Sequence, residues 1–330
     1  MIRPAPRTLT ALVLSIVAAA TLAADPVTIQ IGANVPANSP WDLGLKKLAA
    51  EWSRISGGAV RMVFPKSVSS SSQEDVLQKM KFSLDGAMLD TTGLSYIDGD
   101  IFMLAMPSVI EDDVEFDQVM AAVLPLLRAE MGDRYEILAV AKGGWIRFFS
   151  TTPIVVPDDL RNLRMAVDRN QDMLAKLLQS IGVRTVKNDA SSTILQLNAG
   201  ALDAIYTSPL LVATLWSQYR RVVSYMSPFR VSPFFGAIVV NKRAWDRVPA
   251  AMKPALLEAA QRIAREIGEE SMRLENEGIA SMVKNGLVVP AYSPADAAAW
   301  ETLYAGRIRS VVASWFSEDF AAAVYRSMGK

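Results

Sequence analysis

The residues of this chain that can do chemistry are carboxylates and arginines, because its 330 residues include neither cysteine nor histidine. A thiolate nucleophile, a Ser-His-Asp triad, a disulfide framework and a Cys/His metal site are therefore excluded. No G-x-x-x-x-G-K-[ST] or G-x-G-x-x-G motif occurs, so the sequence gives no support to nucleotide binding. Acid–base catalysis by Asp85, Asp90 and Asp203 is what remains for an enzyme.

The elements that position these groups alternate between strand and helix. In the stretch 156–209, short apolar runs predict strands at 163–167, 184–186 and 202–207, and the helices between them end at Gly182 and Gly200. This β-α-β-α-β order predicts a mostly parallel sheet with covering helices. Ligands of such sheets lie at the carboxyl ends of the strands, which are the segments 167–168 and 206–208.

The N-terminal half has the same order, with strands predicted at 27–31, 60–64 and 84–89. Two further strands at 135–142 and 145–150 are expected to cross between the two lobes. A single helical pattern then runs from Pro249 to Gly286. Its roughly thirty residues would reach about 45 Å, which is longer than one small domain needs. We therefore expect one helix to lie across both lobes.

The first 24 residues have the layout of a secretory signal peptide. Arg3 and Arg7 precede an apolar run, and small residues at Ala23 and Ala24 offer a cleavage point. An uncleaved membrane anchor is the alternative, although the run is short for a span. Lys+Arg and Asp+Glu are both 34, so no excess charge points to nucleic acid or an anionic membrane. The sequence predicts an exported, soluble, periplasmic protein.

Several short segments along nearly the whole mature chain resemble a known family. In order they are NSPW at 38–41, SGGAV at 56–60, QEDVL at 73–77, LD at 84–85, Ala105-Met106-Pro107, PDDLRNLRM at 157–165 and LQLNAGALD at 195–203. Their order and spacing are similar to those of the DctP-like solute receptors of tripartite ATP-independent periplasmic (TRAP) transporters.

The resemblance implies an α/β, two-lobed periplasmic binding protein fold with mostly parallel sheets and a long helix spanning both lobes. It also implies a binding protein rather than an enzyme, with no cofactor, that passes a small organic ligand to membrane permease subunits. The expected division is a signal peptide at 1–24, lobe I at 25–144 plus 236–262, lobe II at 145–235 plus 263–300, and C-terminal helices at 301–330 packing on the outside.

The chain departs from the family where the ligand's carboxylate is bound. The family has an arginine that pairs bidentately with that carboxylate, and this sequence has Ala166 at the matching position. Arg164 lies two residues away with the same strand parity, so it is a weaker candidate for the same role. Arg147 is the counterpart of a second family arginine, although its spacing to Pro153 is shorter than usual.

The predicted site is consequently apolar and aromatic, with few polar groups. A pocket of this kind favours a rather hydrophobic ligand, because each buried methylene contributes about 0.8 kcal/mol. One end of that ligand can still be polar. The predicted ligand-binding residues are Gln73, Asp90, Trp145, Arg147, Phe149, Met165, Val167, Tyr206, Thr207, Phe234 and Phe235.

Other roles for these residues stay open. The alternatives are ordinary core or hinge packing for Trp145, Phe149, Phe234 and Phe235, a structural ion pair for Arg147, and a helix-start role for Gln73. Two further functions also stay open. One is an exported enzyme that uses the three acids, and the other is a receptor-like protein whose pocket is filled by its own aromatics and which serves an additional periplasmic protein partner.

Overall fold

Nine strands form the centre of the molecule, in a computed structural model that describes residues 25–68 and 71–329. The predicted signal peptide lies outside these residues. Along the sheet the strand order is β2-β1-β3-β9-β4-β7-β5-β6, and β8 pairs with β4. The strands are β1 (Val27–Ala33), β2 (Val60–Val63), β3 (Gly86–Asp90), β4 (Tyr135–Ser150), β5 (Arg164–Asp168), β6 (Arg184–Asn188), β7 (Ala204–Thr207), β8 (Tyr225–Met226) and β9 (Ser232–Asn241).

Two lobes are built on parallel strands, as the sequence predicts. In the first lobe β1 pairs in parallel with β2 and β3, and in the second lobe β5 pairs in parallel with β6 and β7. The strands β4 and β9 join the lobes and pair antiparallel with each other and with their neighbours. The carboxyl ends of β3 and β5 are therefore available to form a cleft between the lobes.

Helices cover both faces of these sheets. The longest is α10, whose 32 residues pack against β4, against α1 of the first lobe and against α7 of the second, so the predicted shared helix is confirmed. The helices are α1 (Pro40–Ile55), α2 (Gln73–Met80), α3 (Thr91–Ser95), α4 (Asp113–Met131), α5 (Asp172–Ser180), α6 (Thr193–Asn198), α7 (Pro209–Thr214), α8 (Trp216–Tyr219), α9 (Lys242–Asp246), α10 (Lys253–Lys284), α11 (Pro294–Leu303), α12 (Arg309–Ala313) and α13 (Glu318–Ser327).

Local sequence explains how α1 begins and how it is attached to α10. Ser39 accepts a hydrogen bond from the Asp42 N–H, and Pro40 occupies the first helical position, where no N–H is needed. The helix buries its apolar face, and the Trp52 indole N–H donates to the Leu256 carbonyl at 3.0 Å. This bond satisfies a buried donor and fixes α10 to the first lobe.

Three apolar clusters hold the layers together. One lies between α1, the N-terminal half of α10 and the first-lobe sheet. A second lies between α7, α8, the C-terminal end of α10 and the second-lobe sheet. The third, on the opposite face, runs continuously from α2 and α4 to α5 and α13. Because this last cluster includes residues of both lobes, the lobes are packed against each other.

Several local predictions differ from the structure. The two strands expected at 135–142 and 145–150 are one strand, β4, with an irregular register between Lys142 and Gly144. The glycine pair that suggested a break instead forms a bend, and Gly144 has a φ of +111°. The sequence also predicts a helix over residues 73–82, whereas α2 ends at Met80 and leaves Phe82 exposed.

Candidate functional site

The cleft edge lies where the carboxyl ends of β3 and β5 meet. Gln171, just after β5, donates from Nε2 to the Thr92 hydroxyl of α3 at 3.1 Å. From β7, the Tyr206 hydroxyl donates to the Ala105 carbonyl at 3.3 Å and is also bonded to the Ser232 hydroxyl. The bonds from Gln171 to Thr92 and from Tyr206 to Ala105 join the second lobe to residues that follow β3. The lobes are therefore in contact at this edge.

Asp90 and Gln73 lie together at this edge. Asp90 caps α3 by accepting the Gly93 N–H at 2.9 Å, and Gln73 Oε1 accepts the Asp90 N–H at 3.4 Å. Burial raises the pKa of the Asp90 carboxyl; hydrogen bonds from the Gly93 and Thr92 N–H groups oppose the rise, and the Asp168 carboxylate adds to it. Asp90 is thus a helix cap whose carboxylate is costly to ionise.

Arg147 of β4 is a partly buried guanidinium with an incomplete set of partners. Its Nη1 donates to the Ser227 carbonyl at 3.2 Å, while its Nε is shielded from solvent and has no hydrogen-bond partner in the described part of the chain. Among the described residues, no carboxylate lies within ion-pair distance of it. Burial lowers the pKa of Arg147, and the more distant Glu275 carboxylate opposes this effect. An anion placed beside it would give the Nε group an acceptor and neutralise the charge of the guanidinium.

A group of charged residues lies behind Arg147, between α4, α10 and the crossing strands. Asp113 accepts from Lys142 Nζ at 2.9 Å, from the Trp145 indole N–H at 3.2 Å and from Arg230 Nη1 at 3.1 Å. Burial alone would raise the pKa of Asp113, but the bond from Lys142 and the nearby Arg230 hold it below its usual value. The Asp113 carboxylate is therefore a structural ion-pair centre.

Glu275 of α10 belongs to the same region and is 2% exposed. Its Oε2 accepts the backbone N–H of Trp145 at 3.0 Å. Burial raises the pKa of the Glu275 carboxyl to about 7, although the Trp145 N–H and the neighbouring arginines partly offset this rise. The sequence analysis did not select this residue. A usable signal was present, because Glu275 follows Ala264, Gly268 and Ser271 on the buried face of an otherwise charged helix.

The predicted site residues divide between two faces of the second-lobe sheet. Arg147 lies opposite Thr207 in the β4–β7 ladder, and Phe149 lies opposite Ile205, in the cluster under α7 and α10. Tyr206 lies opposite Phe148 on the other face, with their rings 5.8 Å apart. Strand residues alternate between faces, so a single pocket cannot be lined by both groups. Met165 and Val167 share the Tyr206 face and are buried in the cluster that joins the lobes.

The crossing strands contain the remaining aromatic candidates. Trp145 is fully buried, and the Arg230 guanidinium lies over its ring at 4.7 Å. Phe235 is also fully buried and packs at 5.5 Å from the Phe116 ring. Phe234 is partly buried and lies over Gly143 of the β4 bend. As ligand contacts, these residues and the others above stay predictions.

The remaining acids and Arg164 do not meet in the cleft. Arg164 donates to Asp203 from Nε and Nη2, both at 2.7 Å, at the start of β5 and away from the cleft edge. This bidentate pair uses the guanidinium edge that a ligand carboxylate would need. Asp85 pairs with Arg247 at 2.6 Å. The three acids of the enzyme hypothesis are therefore separated into two ion pairs and one helix cap.

Two surface cavities lie outside the cleft. One, of about 350 Å³, is lined by residues of α6 and α8, including Ile194 and Arg221. The other, of about 320 Å³, is lined by residues near α2 and the start of β4, including Tyr96 and Arg134. Neither is lined by any of the eleven predicted site residues.

The sequence of the chain matches a family model over residues 31–314, and the model describes bacterial extracellular solute-binding proteins, family 7 (DctP). The chain belongs to this family. DctP proteins are binding proteins and not enzymes, and the two-lobed fold described above is in agreement. A search of curated proteins finds no match.

Solved structures with the same fold include receptors of TRAP systems. A TRAP periplasmic solute-binding protein from Roseobacter denitrificans with bound β-D-glucuronate has a TM-score of 0.77 and 17% identity, and the match covers 91% of this chain and 98% of that one. DctP7 from Bordetella pertussis, a receptor binding pyroglutamic acid, has a TM-score of 0.78 and 18% identity, covering 92% and 99%. A TRAP periplasmic solute-binding protein from Shewanella oneidensis with bound succinate has a TM-score of 0.78 and 17% identity, and the match covers 92% of this chain and 99% of that one.

In this DctP protein, Ala166 lies in β5 on the face that packs under α7, where its methyl group offers no hydrogen-bond donor.

Across residues 25–68 and 71–329, no helix combines the length and apolarity needed to cross a bilayer.

Proposed function

We propose that this DctP protein is the extracytoplasmic receptor of a TRAP-type secondary transporter, exported by its N-terminal signal peptide. It captures a small organic carboxylate between its two lobes and passes it to the membrane permease subunits. Arg147 is the anion contact, and the rest of the ligand meets apolar surface. The family membership supports the receptor role.

The observation that carries the proposal is the unpaired guanidinium of Arg147. Leaving a buried charge without an ion partner costs folding free energy on the order of several kcal/mol. Its shielded Nε has no acceptor, and the Ser227 carbonyl is the one bond partner assigned to it among the described residues. A ligand carboxylate would satisfy the Nε and neutralise the charge. The related receptors with bound glucuronate, pyroglutamate and succinate support this ligand class.

Ala166 supports a ligand with one anionic end and an apolar body. Without a second guanidinium at this position, one arginine carries the anion contact. The partly buried Phe234 supplies aromatic surface near the crossing strands. We therefore expect monocarboxylates with aliphatic or aromatic bodies to bind more tightly than dicarboxylates or sugar acids of similar size.

The lobe boundaries follow from the same proposal. Lobe I comprises 25–144 plus 236–262 and lobe II comprises 145–235 plus 263–300, with the hinge at the bend of β4. The exchange of partners along β4 supports this division, because residues up to Ile146 pair with β9 and residues from Arg147 on pair with β7. Closure around a ligand would then turn about Gly144.

A thermal-shift panel tests the proposal with succinate, glucuronate, pyroglutamate, hexanoate and phenylacetate, each beside its neutral amide. Carboxylates that bind should raise the melting temperature by mass action, whereas the amides should not. Arg147→Gln should lower the affinity about 10- to 100-fold, the loss of a charge-assisted pair. Arg164→Gln is the matched control, because that guanidinium is already paired. Stabilisation by the amides alone, or unchanged binding by Arg147→Gln, would contradict the proposal.

A second function is favoured by the packing of the cleft. Trp145, Phe149, Met165 and Phe235 are fully buried, and one apolar cluster joins the lobes. A receptor filled in this way would serve a periplasmic protein partner instead of a solute. Native mass spectrometry of freshly purified protein separates the two functions, since a solute receptor should show copurified mass and a filled one should not.

A further inference from the structure

The Glu275 carboxyl is a buried titratable group that the proposed function does not use. It is 2% exposed, and no cation of the described residues lies within ion-pair distance of it. A buried carboxylate in this state is costly, and an apolar residue of similar volume would often be as stable or more stable. Its Oε2 nevertheless accepts the Trp145 N–H, so the carboxyl is held at one defined place beside β4.

The carboxylate and the bend of β4 fit together sterically. Gly144 has a φ of +111°, a conformation that favours glycine. A Cβ atom on Gly144 would also overlap with Glu275 Oε2, so the carboxylate occupies the space that the missing side chain leaves. One residue later, the Trp145 N–H donates to the same oxygen. The bend can therefore hold this shape only with a small acceptor at this point of α10.

The face of α10 that carries Glu275 is shaped for close contact with β4. Gly268 lies near the Lys142 backbone, with its missing Cβ position 3.4 Å from the Lys142 carbonyl oxygen. Ser271 is fully buried, and its hydroxyl has no partner among the described residues. Small residues thus let the strand approach, and Glu275 ends the row at the bend. Since α10 packs against both lobes, this contact ties the crossing strand to the helix that the lobes share.

The charged groups around Glu275 come from three other elements. They are Arg147 and Lys142 of β4, Arg230 in the segment before β9, and Asp113 of α4. On the outer side of α10, Glu270, Arg273 and Glu277 pair with one another in solvent. Two arginines attract the ionised carboxylate and Asp113 repels it, while burial raises the pKa of Glu275 to about 7. Both protonation states are therefore populated near neutral pH.

We propose that Glu275 is a positioning residue for the ligand cleft: it holds the bend of β4 against α10 and thereby fixes the direction in which Arg147 leaves the strand. The inference rests on the proposed function in that Arg147 is the anion contact. Burial raises the pKa of Glu275, so its packed place disfavours the ionised carboxylate, and ionisation favours loosening of the contact between the bend and α10. The hinge is accordingly held more tightly below neutral pH than above it.

Distances between the lobes test this proposal on the mature chain without ligand. The chain has no cysteine, so Ser83→Cys and Lys176→Cys, both at exposed positions, allow specific spin labelling of the two lobes. Electron double-resonance distance distributions would be recorded at about pH 6 and about pH 8, on either side of the carboxyl's titration. The variants are Glu275→Leu, which removes the acceptor, and Glu275→Gln, which keeps an acceptor without the charge. Glu277→Gln on the exposed side of the same helix is the control.

We expect the wild-type distribution to be narrower at the lower pH, and Glu277→Gln to behave identically. Glu275→Gln should give one width at both pH values. Glu275→Leu should give a broader distribution while its melting temperature stays at or above that of wild type, a combination that a merely structural role would not produce.

A folded Glu275→Leu variant with the wild-type distribution would overturn the proposal. If that variant does not fold, Glu275→Gln decides, because a pH response equal to that of wild type would also overturn it. A wild-type distance distribution that does not change with pH would also overturn the proposal. None of these outcomes depends on whether a carboxylate binds, so the ligand panel and this experiment can fail independently.

Discussion

The pH dependence of folding stability should report directly on the buried Glu275 carboxyl. Glu275→Gln removes one ionisable group from the interior and changes the side-chain volume little. Burial raises the pKa of this group from 4.5 to about 7 in the folded chain. The folded state then binds more protons than the unfolded state between these values. The contribution of Glu275 to stability is therefore present at low pH and is lost as the pH rises through about 7.

The size of the loss follows from the two pKa values. At about 1.4 kcal/mol per pH unit, the interval from 4.5 to about 7 corresponds to roughly 3 kcal/mol in total. Most of this, about 2.5 kcal/mol, falls between about pH 5 and about pH 8. Across that range the wild type should lose this much unfolding free energy relative to Glu275→Gln, beyond any change that the two proteins share.

Urea unfolding at about pH 5 and about pH 8 measures the unfolding free energies of wild type and Glu275→Gln by linear extrapolation. Glu277→Gln, exposed on the same helix, controls for the removal of a negative charge from α10 and should unfold in parallel with wild type. Parallel pH dependence of wild type and Glu275→Gln would refute the reasoning, because it would mean that the carboxyl titrates alike in the folded and unfolded chains.

The other predictions concern the contacts that position the cleft. Gly144→Ala should lower the unfolding free energy by about 3 kcal/mol or more, because the new Cβ atom adds a clash to the strain of positive φ. Gly286→Ala should lower it by about 1 kcal/mol, because Gly286 has a φ of +104° but open space around it. Urea unfolding measures both losses. Arg164→Gln should lower stability by no more than about 1 kcal/mol and leave ligand-induced thermal shifts unchanged, because its pair with Asp203 is partly exposed. Trp52→Ala should cost about 4 kcal/mol through the cavity it creates and the lost bond to α10, and a smaller loss would show that the first lobe repacks.

Much of the fold was predictable because it depends on local signals. Periodicity, glycine ends and capping serines predicted the parallel strands of both lobes and the long α10. The motifs spaced along the chain predicted the family. The prediction was wrong at the crossing strand, where the glycine pair at 143–144 is a bend within β4, because a continuous partner strand, β9, carries the ladder past it.

The site was much less predictable than the fold. Strand ends drew attention to Asp90 and Tyr206, but strand parity separates Tyr206 from Thr207. Packing decides whether each face meets solvent, a helix or the other lobe. Arg164 looked available in sequence, yet Asp203, 39 residues later, pairs with it. A sequence does not show which charges meet across such distances.

The amino-acid order fixes which groups exist: an absence of thiols and imidazoles, an alanine at position 166, where the family resemblance implies an arginine, and a glycine pair in the crossing segment. Tertiary contact assigns their roles. Among the described residues it leaves Arg147 without a counter-ion, gives Arg164 one, and brings Glu275 against Gly144 across 131 positions of sequence. The physical reason is that charge and hydrogen-bond energies depend on distance and burial, which are properties of the folded chain.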